Sequence, residues 1–318
     1  MKTLVLGGAG YIGSVVAARL VEEGHEVVVA DSLVRGHEDA VPDGARLEVM
    51  DVLDADRLQG LLREGFDGVL HFAALSIVPE SVARPALYYR ANVGGTVALL
   101  DAMRETGTAR LVFSSTAAVY GEPDEVPIEE SAPTRPTNPY GASKLAVDQA
   151  IGFECAATGL GAISLRYFNV AGAYGRFTER HDPETHLIPL ILAAAAGTSD
   201  GIRVFGTDYP TPDGTAIRDY IHVVDLADAH LAALEAAGEP GHRIYNLGNG
   251  TGYSVRQVIE TAREVTGAEI PATESTRRPG DPAALVASSA RARAELGWEP
   301  RMPELGRIVA DAWAAFPS

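Results

Sequence analysis

Residues 3–31 read TLVLGGAGYIGSVVAARLVEEGHEVVVAD, and this stretch decides the fold of the chain. A short apolar strand is followed by a turn that holds Gly7, Gly10 and Gly13, then by an apolar helical stretch and a second apolar strand. Glycine at these positions permits a tight bend, the close approach of a pyrophosphate and contact between helix and sheet. The helix N-terminus offers unpaired N–H groups to phosphates. The stretch therefore predicts a dinucleotide-binding βαβ unit; the alternative is an ordinary turn without a ligand.

The acid at the end of the second strand, Asp31, indicates which dinucleotide binds. Its carboxylate can accept hydrogen bonds from both ribose hydroxyls, whereas a 2′-phosphate would meet like charge. NAD is therefore favoured over NADP. Arg35 and His37 follow closely in the sequence and weaken this preference, because cations could accommodate the extra phosphate.

The composition is that of a globular protein with an excess of acidic residues. The 318 residues and 46% hydrophobic content suffice for one large domain or two smaller ones. A net charge of −17 argues against nucleic acid or an anionic membrane as a partner. Cys155 is the single cysteine, which excludes an intramolecular disulfide, and the N-terminal apolar residues are too few for a signal peptide. We therefore expect a soluble cytoplasmic protein with no nucleic-acid or membrane partner.

Strand-like and helix-like patterns alternate up to about residue 168. Strands are predicted at 3–7, 26–31, 46–50, 68–72, 110–115 and 162–168, and helices at 11–23, 54–64, 86–106 and 140–158. The strands are uniformly apolar, as strands buried on both faces should be. This pattern predicts an α/β protein with a doubly wound, Rossmann-type parallel sheet and helices on both faces.

Beyond about residue 170 the pattern is looser and predicts a smaller C-terminal α/β domain. Helices are predicted at 187–197, at 225–237, from Ser254 to about 266 and from Ser289 to Gly297, with strands at 217–223 and 243–247 and a loop at 207–214. Ser254 and Gln257 have the spacing of a capping box. We predict a first domain over 1–170, onto which 216–248 folds back, and a second domain over 171–318.

Tyr140 and Lys144 stand four residues apart in PYGASK (139–144), at the start of a predicted helix, and so share one face. A free phenol has a pKa of about 10, too high for a base at neutral pH, and an adjacent ammonium favours the phenolate. Such a tyrosine can take a proton from an alcohol while a hydride leaves the same carbon for nicotinamide. A surface tyrosine and lysine on an amphipathic helix is the alternative, and the glycine turn upstream makes it the weaker interpretation.

The buried strand at 110–115 is followed by Thr116 and carries Ser114 near its end. In a doubly wound sheet, ligands bind at the carboxyl ends of the strands. Thr116 is therefore placed to hydrogen-bond the reacting oxygen beside Tyr140. The alternative, a hydroxyl that satisfies a strand end or caps a turn, applies to Ser114 more than to Thr116.

Several motifs in this chain carry a resemblance to a known family. They are GGAGYIG (7–13), HFAA (71–74), SSTAAVYG (114–121), YGASK (140–144), RYFN (166–169), FGTDYPTPDG (205–214), RDYIHVVDLAD (218–228), YNLG (245–248) and RRPGD (277–281). Together they resemble the extended short-chain dehydrogenase/reductases, over nearly the whole chain. Within that superfamily, 205–228 is similar to the branch that interconverts UDP-glucose and UDP-galactose.

The resemblance implies an internal redox cycle at C4 of the sugar. Tyr140 takes the proton from O4 while the C4 hydride passes to tightly held NAD, and the 4-keto sugar then swings about its pyrophosphate link. Hydride and proton return to the other face, so that C4 is inverted with no net redox change. In this scheme Lys144 lowers the pKa of Tyr140 and bonds the nicotinamide ribose, and Thr116 aids proton transfer.

The resemblance also implies the residues that bind each ligand. Those for NAD are Gly7, Gly10, Tyr11, Ile12, Gly13, Asp31, Ser32, Asp51, Val52, Phe72, Ala73, Ala74, Asn92, Ser114, Lys144 and Tyr167. Those for the UDP-sugar are Thr116, Tyr140, Asn169, Leu187, Phe205, Arg218, Arg278, Asp281 and Leu285. Two arginines on a pyrophosphate make physical sense in so acidic a protein, although ordinary surface ion pairs are the alternative for each.

Three positions depart from the pattern of many family members. Ser76 stands where some have a lysine that contacts the cofactor, and Thr116 stands where many have serine, which keeps the hydroxyl. Leu285 occupies a position near the sugar where some members carry a bulky tyrosine that excludes N-acetylated substrates. Because leucine is smaller, activity on UDP-N-acetylglucosamine is a hypothesis, although pocket volume alone discriminates weakly.

Related activities compete with epimerisation. Dehydratases need an acid and a base directly after the threonine, and Ala117 and Ala118 supply neither. Decarboxylases and epimerases of UDP-glucuronate also begin with C4 oxidation and stay open, although an additional cation would be expected for the carboxylate. A non-catalytic NAD-binding sensor is the least favoured alternative, because it could dispense with Tyr140 and Lys144.

Two further expectations concern metal and assembly. His181 and His186 are five residues apart in a predicted loop, with no thiolate or carboxylate cluster recognised beside them, so we expect no metal. Family members pair through the helices predicted at 86–106 and 140–158, so we expect a homodimer. Leu145, Val147, Ile151 and Phe153 are consistent with that interface but equally with a core.

Overall fold

The computed structural model describes residues 1–278 and 280–316. The strands are β1 Lys2–Leu6, β2 Glu26–Asp31, β3 Arg46–Val49, β4 Gly68–His71, β5 Arg110–Thr116, β6 Gly161–Tyr167, β7 Asn169–Ala171, β8 Ile202–Phe205, β9 Ile217–His222, β10 Gly241–Leu247, β11 Gly252–Ser254, β12 Ala272–Ser275 and β13 Ala284–Leu285. The helices are α1 Tyr11–Glu22, α2 Ala55–Leu62, α3 Val78–Ala83, α4 Pro85–Tyr88, α5 Gly95–Thr106, α6 Pro139–Thr158, α7 Leu187–Ala195, α8 Val223–Ala236, α9 Val255–Thr266, α10 Ala290–Leu296 and α11 Leu305–Ala314.

The main sheet has seven strands in the order β10-β6-β5-β4-β1-β2-β3, and every pairing in it is parallel. The order reverses between β1 and β4, which is where a doubly wound sheet opens a crevice for a ligand. The doubly wound parallel sheet predicted from the sequence is therefore confirmed. All the strands bring their carboxyl ends to one edge, which we call the carboxyl edge.

Helices cover both faces of this sheet because each presents an apolar side to it. One hydrophobic core joins the sheet to α1 and α8, through side chains such as Val15 and Leu226. The other joins it to α2, α5 and α6, through side chains such as Leu58, Leu99 and Ile151. Since α8 and β10 come from 216–248, that segment belongs to the main sheet and its layers. The domain boundary at residue 170 stays a prediction.

A smaller unit is built from the remaining strands and three helices. β9 is its central strand and pairs with β7, β11 and β13, while β8 pairs with β12. Side chains from α7, α9 and α11 form a separate hydrophobic core under these strands. The predicted capping box is present at the start of α9: Ser254 and Gln257 each bond the backbone N–H of the other.

The helix predicted at 86–106 is continuous but not regular. Between α4 and α5, residues Tyr89–Gly94 form a π-helical segment. One turn with an extra residue changes the direction of the side chains in it, and such segments are frequent at functional sites. Asn92 lies in this segment.

Candidate active site

The glycine turn between β1 and α1 has the shape of a phosphate cradle. Gly7 has φ +77°, and a Cβ on Gly13 would lie 2.3 Å from the Gly7 carbonyl oxygen. Both positions therefore require glycine. Gly10 caps α1 with no side chain, and a Cβ added to Gly10 would meet only the Gly7 carbonyl oxygen, at 3.4 Å. The N-terminus of α1 is thus open to a close approach by phosphate, and the turn fits a dinucleotide.

Asp31 is buried and held in a fixed orientation at the end of β2. Its two carboxylate oxygens accept hydrogen bonds from the backbone N–H groups of Ala9, at 3.0 Å, and Leu33, at 2.9 Å. Lone pairs on both oxygens remain for ribose hydroxyls. The nearby cations point elsewhere: Arg35 donates to the Asp182 carbonyl, and His37 Nε2 lies 3.2 Å from the Arg180 carbonyl oxygen.

The carboxyl edge brings most of the residues implied for the cofactor to the ends of neighbouring strands. They are Asp31 at the end of β2 and Ser32 after it, Asp51 and Val52 after β3, Phe72, Ala73 and Ala74 after β4, Ser114 in β5, and Tyr167 at the end of β6, with Tyr11, Ile12 and Gly13 at the start of α1. Two of them are bonded to each other, the hydroxyls of Ser114 and Tyr167. Asp51 stands apart, since its exposed carboxylate accepts the Leu53 N–H at 2.9 Å.

Asn92 joins the π-helical segment to two neighbours. Its side-chain oxygen accepts the Leu75 N–H at 2.8 Å, and its amide nitrogen donates to the Leu75 carbonyl, at 3.1 Å, and to Ser143 Oγ, at 3.0 Å. Asn92 therefore fixes the segment that follows β4 against α6, the helix that carries Tyr140 and Lys144.

Lys144 is buried at the centre of the carboxyl edge. Its Nζ donates to the Ser114 carbonyl at 2.8 Å and lies 4.7 Å from the centre of the Phe113 ring. Burial lowers the pKa of Lys144 to about 7, against the opposing effect of the Asp148 carboxylate. Near neutral pH the side chain therefore divides between ammonium and amine.

Tyr140 shows a pKa shift opposite to the one expected from the sequence. Burial raises its pKa, and the nearby Thr116 hydroxyl lowers it by hydrogen bonding, as the smaller effect. Lys144 is not among the groups that shift this pKa here, because its amine is bound to the Ser114 carbonyl and is partly uncharged. Its lowering effect on the pKa of Tyr140, which the resemblance implies, stays a prediction.

Thr116 is in the predicted place, at the carboxyl end of β5. It is buried, and its Oγ1 accepts the Ala118 N–H at 3.1 Å, so it also caps the short turn that follows the strand. The interpretation as a turn cap, which the sequence favoured for Ser114, thus describes Thr116 as well. One hydroxyl can do both, because it accepts from the backbone and keeps its own proton to donate.

Apart from Thr116 and Tyr140, the residues implied for the UDP-sugar lie in the smaller unit or at its border. Arg218 on β9 forms an ion pair with Asp281, and Leu285 on β13 is paired in register with Arg218. The guanidinium of Arg278 lies 4.0 Å from the centre of the Phe205 ring. Asn169 begins β7 and Leu187 begins α7. Arg218, Asp281 and Leu285 therefore lie close together where β9 pairs with β13. Arg278 and Phe205 form a separate cation–π contact.

Sequence reasoning missed Asp219, the neighbour of Arg218. Asp219 is buried, and its carboxylate accepts backbone N–H groups of Asn249, Gly250 and Ala287 at 2.8–3.0 Å. It therefore ties three chain segments around Arg218. Burial raises the pKa of Asp219 to about 6, while the three N–H donors act to lower it. No local pattern marks such a residue, because its partners are 30, 31 and 68 positions away.

The reason given for expecting no metal is also wrong. A carboxylate does lie beside the two histidines: Glu179, His181 and His186 place ligating atoms within 4.8 Å of one another. Glu179 and Glu184 were visible in the sequence on either side of His181. The spacing of these residues in the sequence did not indicate a cluster, because the conformation of the loop is what brings Glu179, His181 and His186 together.

Three features meet at the carboxyl edge of one sheet: the glycine turn, Asp31 at the end of β2, and the Tyr140–Lys144 pair on α6. Together they define an NAD-binding enzyme of the short-chain dehydrogenase class. Comparison with known proteins makes the class specific. The chain belongs to the NAD dependent epimerase/dehydratase family, whose model matches residues 3–248. The resemblance stated from the motifs and the prediction of NAD as the cofactor are confirmed.

Relatives with assigned names share nearly the full length of the chain. It is 58% identical to a UDP-glucose 4-epimerase of Corynebacterium glutamicum over 99% of this chain and 95% of the relative. The UDP-glucose 4-epimerase of Brucella ovis, solved with NAD, is 45% identical with a TM-score of 0.95, over 98% of this chain and 97% of that one. That of Bifidobacterium longum, solved with NAD+ and UDP, is 36% identical with a TM-score of 0.94, over 99% and 98%.

The described helices include no membrane span: over 1–278 and 280–316, no helix combines the length and apolar character that crossing a bilayer requires.

Proposed function

We propose that this chain interconverts UDP-glucose and UDP-galactose by NAD-dependent epimerisation at C4. The observation that carries this proposal is the placement of Tyr140, Lys144 and Thr116 on the sheet edge that also holds the glycine turn. Acid–base groups and a dinucleotide site on one edge suit a reaction that moves a proton and a hydride together. Full-length likeness to named UDP-glucose 4-epimerases supports the same reaction.

NAD, when bound, accepts a hydride from the sugar and returns it. The chain's residues that would hold it are the N–H groups at Gly10 and the start of α1, the Asp31 carboxylate and the Lys144 amine. Arg35 and His37 are engaged with the 180–182 backbone, which supports NAD over NADP. Asn92 holds Leu75, in the segment that follows β4, next to Ser143 on α6.

Tyr140 exchanges the proton of the sugar O4 in this proposal. With its pKa raised, the phenol starts protonated at neutral pH, so it favours the half of the cycle that gives a proton to the sugar. The reverse half requires the phenolate, which the Thr116 hydroxyl stabilises by donating to it. The pKa of Lys144 is about 7, and its positive charge, when it is protonated, favours the phenolate of Tyr140 over the phenol.

Two arginines hold the diphosphate of the substrate in this proposal. Arg218 is preset by its ion pair with Asp281, and Arg278 by its contact with the Phe205 ring. With a net charge of −17, the protein as a whole repels the dianionic substrate, so local arginines have to supply the attraction. Asn169 and Leu187 border the same space.

The sugar pocket has room for an N-acetyl group in this proposal, because Leu285 stands where a tyrosine would close it. Leu285 is only partly buried and packs against the small buried cluster of Ala117, Val119, Tyr120 and Ile128. Turnover of UDP-N-acetylgalactosamine by the purified chain tests this extension. Failure to turn over at any concentration removes it and leaves the main proposal intact.

The same chain would act as a homodimer that pairs through α5 and α6. The structure divides the apolar residues of α6: Val147 and Ile151 lie in the core, whereas Phe153 is 78% exposed. With Val97 and Ala150 it lines a groove between the two helices. Asp101, Arg104 and Glu154 line the same groove, so the surface proposed to pair with a second copy is an exposed phenylalanine with charged neighbours.

Replacing Phe153 with glutamate tests the dimer. We expect the unaltered chain to give about twice 33.5 kDa by light scattering at micromolar concentration. Phe153→Glu should give a single chain mass, because it removes the exposed aromatic side chain from the interface and adds a negative charge beside Glu154. Val126→Glu, an exposed valine in another region, serves as the matched control and should stay dimeric. A monomeric mass for the unaltered chain contradicts the proposal.

A cytoplasmic location completes the proposal. It is supported by the single cysteine, Cys155, which is buried and free, so the fold needs no oxidising compartment. Fractionation of the native host, with activity followed in each fraction, would test it.

Epimerisation of UDP-galactose, measured with and without added NAD, tests the central proposal. We expect turnover without net NADH, and a loss of about 10² to 10⁴ in kcat for Tyr140→Phe, because a general base of this kind contributes that much. Bound NAD is measured in the same samples as the control. Full activity of Tyr140→Phe would contradict the assigned role, and absence of turnover with NAD bound would direct attention to UDP-glucuronate or to a non-catalytic role.

A further inference from the structure

The loop between β7 and α7 carries a cluster of metal-ligating side chains that the reaction does not use. Glu179, His181 and His186 each place a ligating atom within 4.8 Å of the others, and we call them the loop cluster. The two imidazole rings lie 5.3 Å apart, and His181 Nδ1 is hydrogen-bonded to the Glu179 carboxylate. His186 is also the residue that caps α7.

The chemistry of this donor set is that of a zinc site. Two imidazoles and one carboxylate form a known three-ligand set for Zn²⁺, which leaves a fourth position for water or another ligand. Bonds of about 2.0–2.2 Å around a tetrahedral ion bring ligand atoms to about 3.3–3.5 Å from one another. Binding of an ion would therefore draw the three ligating atoms, which lie within 4.8 Å of one another, closer together.

A second carboxylate supports the loop cluster. Glu184 Oε1 lies 2.7 Å from His186 Nδ1 and also accepts the backbone N–H groups of Thr185 and His186. Glu184 is therefore held in position to complete the ligand set or to orient the imidazole as an outer acceptor. Both arrangements recur around protein-bound zinc.

Burial and charge in the loop cluster also suit a cation. The side chains of Glu179 and His181 are 12% and 24% exposed, and that of His186 is 43% exposed, so the cluster is lined by protein and accessible from one side. Within residues 1–278 and 280–316, the carboxylates of Glu179 and Glu184 form ion pairs with these histidines and with no lysine or arginine. Two half-buried carboxylates thus lack a permanent counter-ion.

We propose that the loop cluster binds one divalent transition-metal ion of the Zn²⁺ class and that this ion holds the loop 172–186 to the start of α7. The N-terminal part of the loop is already fastened to the segment after β2: Arg176 donates to the Asp39 and Val41 carbonyls, at 2.6 and 3.0 Å. The ion would fasten the other end. This inference concerns metal binding by the free protein and does not depend on the proposed reaction.

Metal content and the cobalt spectrum test the proposal directly. The full chain, without an affinity tag and treated with EDTA, is dialysed against micromolar Zn²⁺ or Co²⁺ and its metal is measured by mass spectrometry. We expect about one equivalent per chain, and with Co²⁺ the visible absorption of a four-coordinate site. Mg²⁺, which prefers oxygen ligands, should not displace it.

Two variants and one control make the result specific. His181→Asn and Glu179→Gln should each weaken binding at least about tenfold, because even outer partners of metal ligands contribute that much. His25→Asn, which removes a histidine elsewhere, should bind like the unaltered chain. Far-UV circular dichroism confirms folding, and the second variant keeps the test decisive if the first does not fold. Binding well below one equivalent by the unaltered chain, or equal binding by the loop-cluster variants, overturns the proposal.

Discussion

Two arginine–aspartate pairs, one on each side of the molecule, show how differently the two regions are built. Arg166 and Asp148 lie under the carboxyl edge with side chains 4% and 2% exposed, whereas Arg218 and Asp281 on the sugar side are 13% and 30% exposed. The first pair is part of a buried network, and the second borders open space. The region proposed to bind the dinucleotide is thus held in place by buried side chains. In the region proposed to bind the sugar nucleotide, the Arg218–Asp281 ion pair is partly exposed, so a bound ligand could replace Asp281 as the partner of Arg218.

The buried network is attached through Asp148 to α6, the helix that carries Tyr140 and Lys144, the proposed catalytic pair. Arg166 Nε and Nη2 donate to Asp148 Oδ2 at 3.0 and 2.9 Å, and Ser115 Oγ donates to the same oxygen at 3.1 Å. Arg166 Nη1 also donates to the Tyr120 hydroxyl at 3.1 Å. Because Asp148 follows Lys144 by one helical turn, the network fixes α6 against the sheet.

Breaking the buried pair has the largest expected effect on stability. Asp148→Ala leaves the Arg166 guanidinium buried without its counter-charge, so we expect a loss of about 3–5 kcal/mol in the free energy of unfolding. Urea unfolding at pH 7 measures it. If the free energy of unfolding falls by less than about 1 kcal/mol, water reaches Arg166 in the variant. The two ion pairs would then differ less in their contribution to stability than their exposed fractions indicate.

Removing the buried amine should act in the opposite direction. Lys144→Met should abolish turnover and yet raise the free energy of unfolding by about 1–4 kcal/mol at pH 7, because burying the ammonium is unfavourable. The pKa of Lys144 is about 7 in the folded protein and higher in the unfolded chain. At pH values between these two, the unfolded chain therefore binds more protons than the folded protein. The stability of the unaltered protein should therefore rise from pH 7 towards pH 10.5, and the advantage of the variant should shrink over the same range.

Thermal unfolding of both proteins across this pH range, at equal dinucleotide occupancy, gives the measurement. An advantage that does not change with pH would show that packing, rather than the charge of Lys144, causes it.

The pair on the sugar side should have the smallest effect on stability. Asp281→Ala should cost less than about 1 kcal/mol in the free energy of unfolding, because partly exposed ion pairs contribute little. Its expected effect is on substrate binding: KM for the UDP-sugar should rise while kcat changes less, since Arg218 loses its orientation. Steady-state kinetics and urea unfolding of the same sample separate the two. A stability loss as large as that of Asp148→Ala would contradict the comparison.

Local patterns predicted the parts of the molecule that depend on neighbours in the sequence. The glycine turn, Asp31 and the Tyr140–Lys144 pair each lie within one strand, turn or helix, so their spacing carried the information. The first six strands and the capping box at Ser254 follow for the same reason.

The features that sequence reasoning missed depend on distant parts of the chain. The π-helical segment at Asn92, the short strands β8 and β12, and α11 lack a local signal as clear as the glycine turn. The direction of the Tyr140 pKa shift also followed from burial, which no spacing reveals. The proximity of the Glu179 carboxylate to the His181 and His186 imidazoles is visible only in the folded 172–186 loop.

The position of β10 at the end of the main sheet has a consequence for dissecting the protein. β10 pairs with β6 along its whole length, although β7, α7, β8, β9 and α8 lie between the two in the chain. A gene fragment that ends near residue 170 would leave β6 as an open apolar edge and the face under α8 uncovered, which promotes aggregation. The two units therefore have to be expressed together. The smaller unit cannot be exchanged between relatives as one continuous insertion, because β7, α7, β8 and β9 precede β10 in the chain, whereas β11, α9, β12, β13 and α11 follow it.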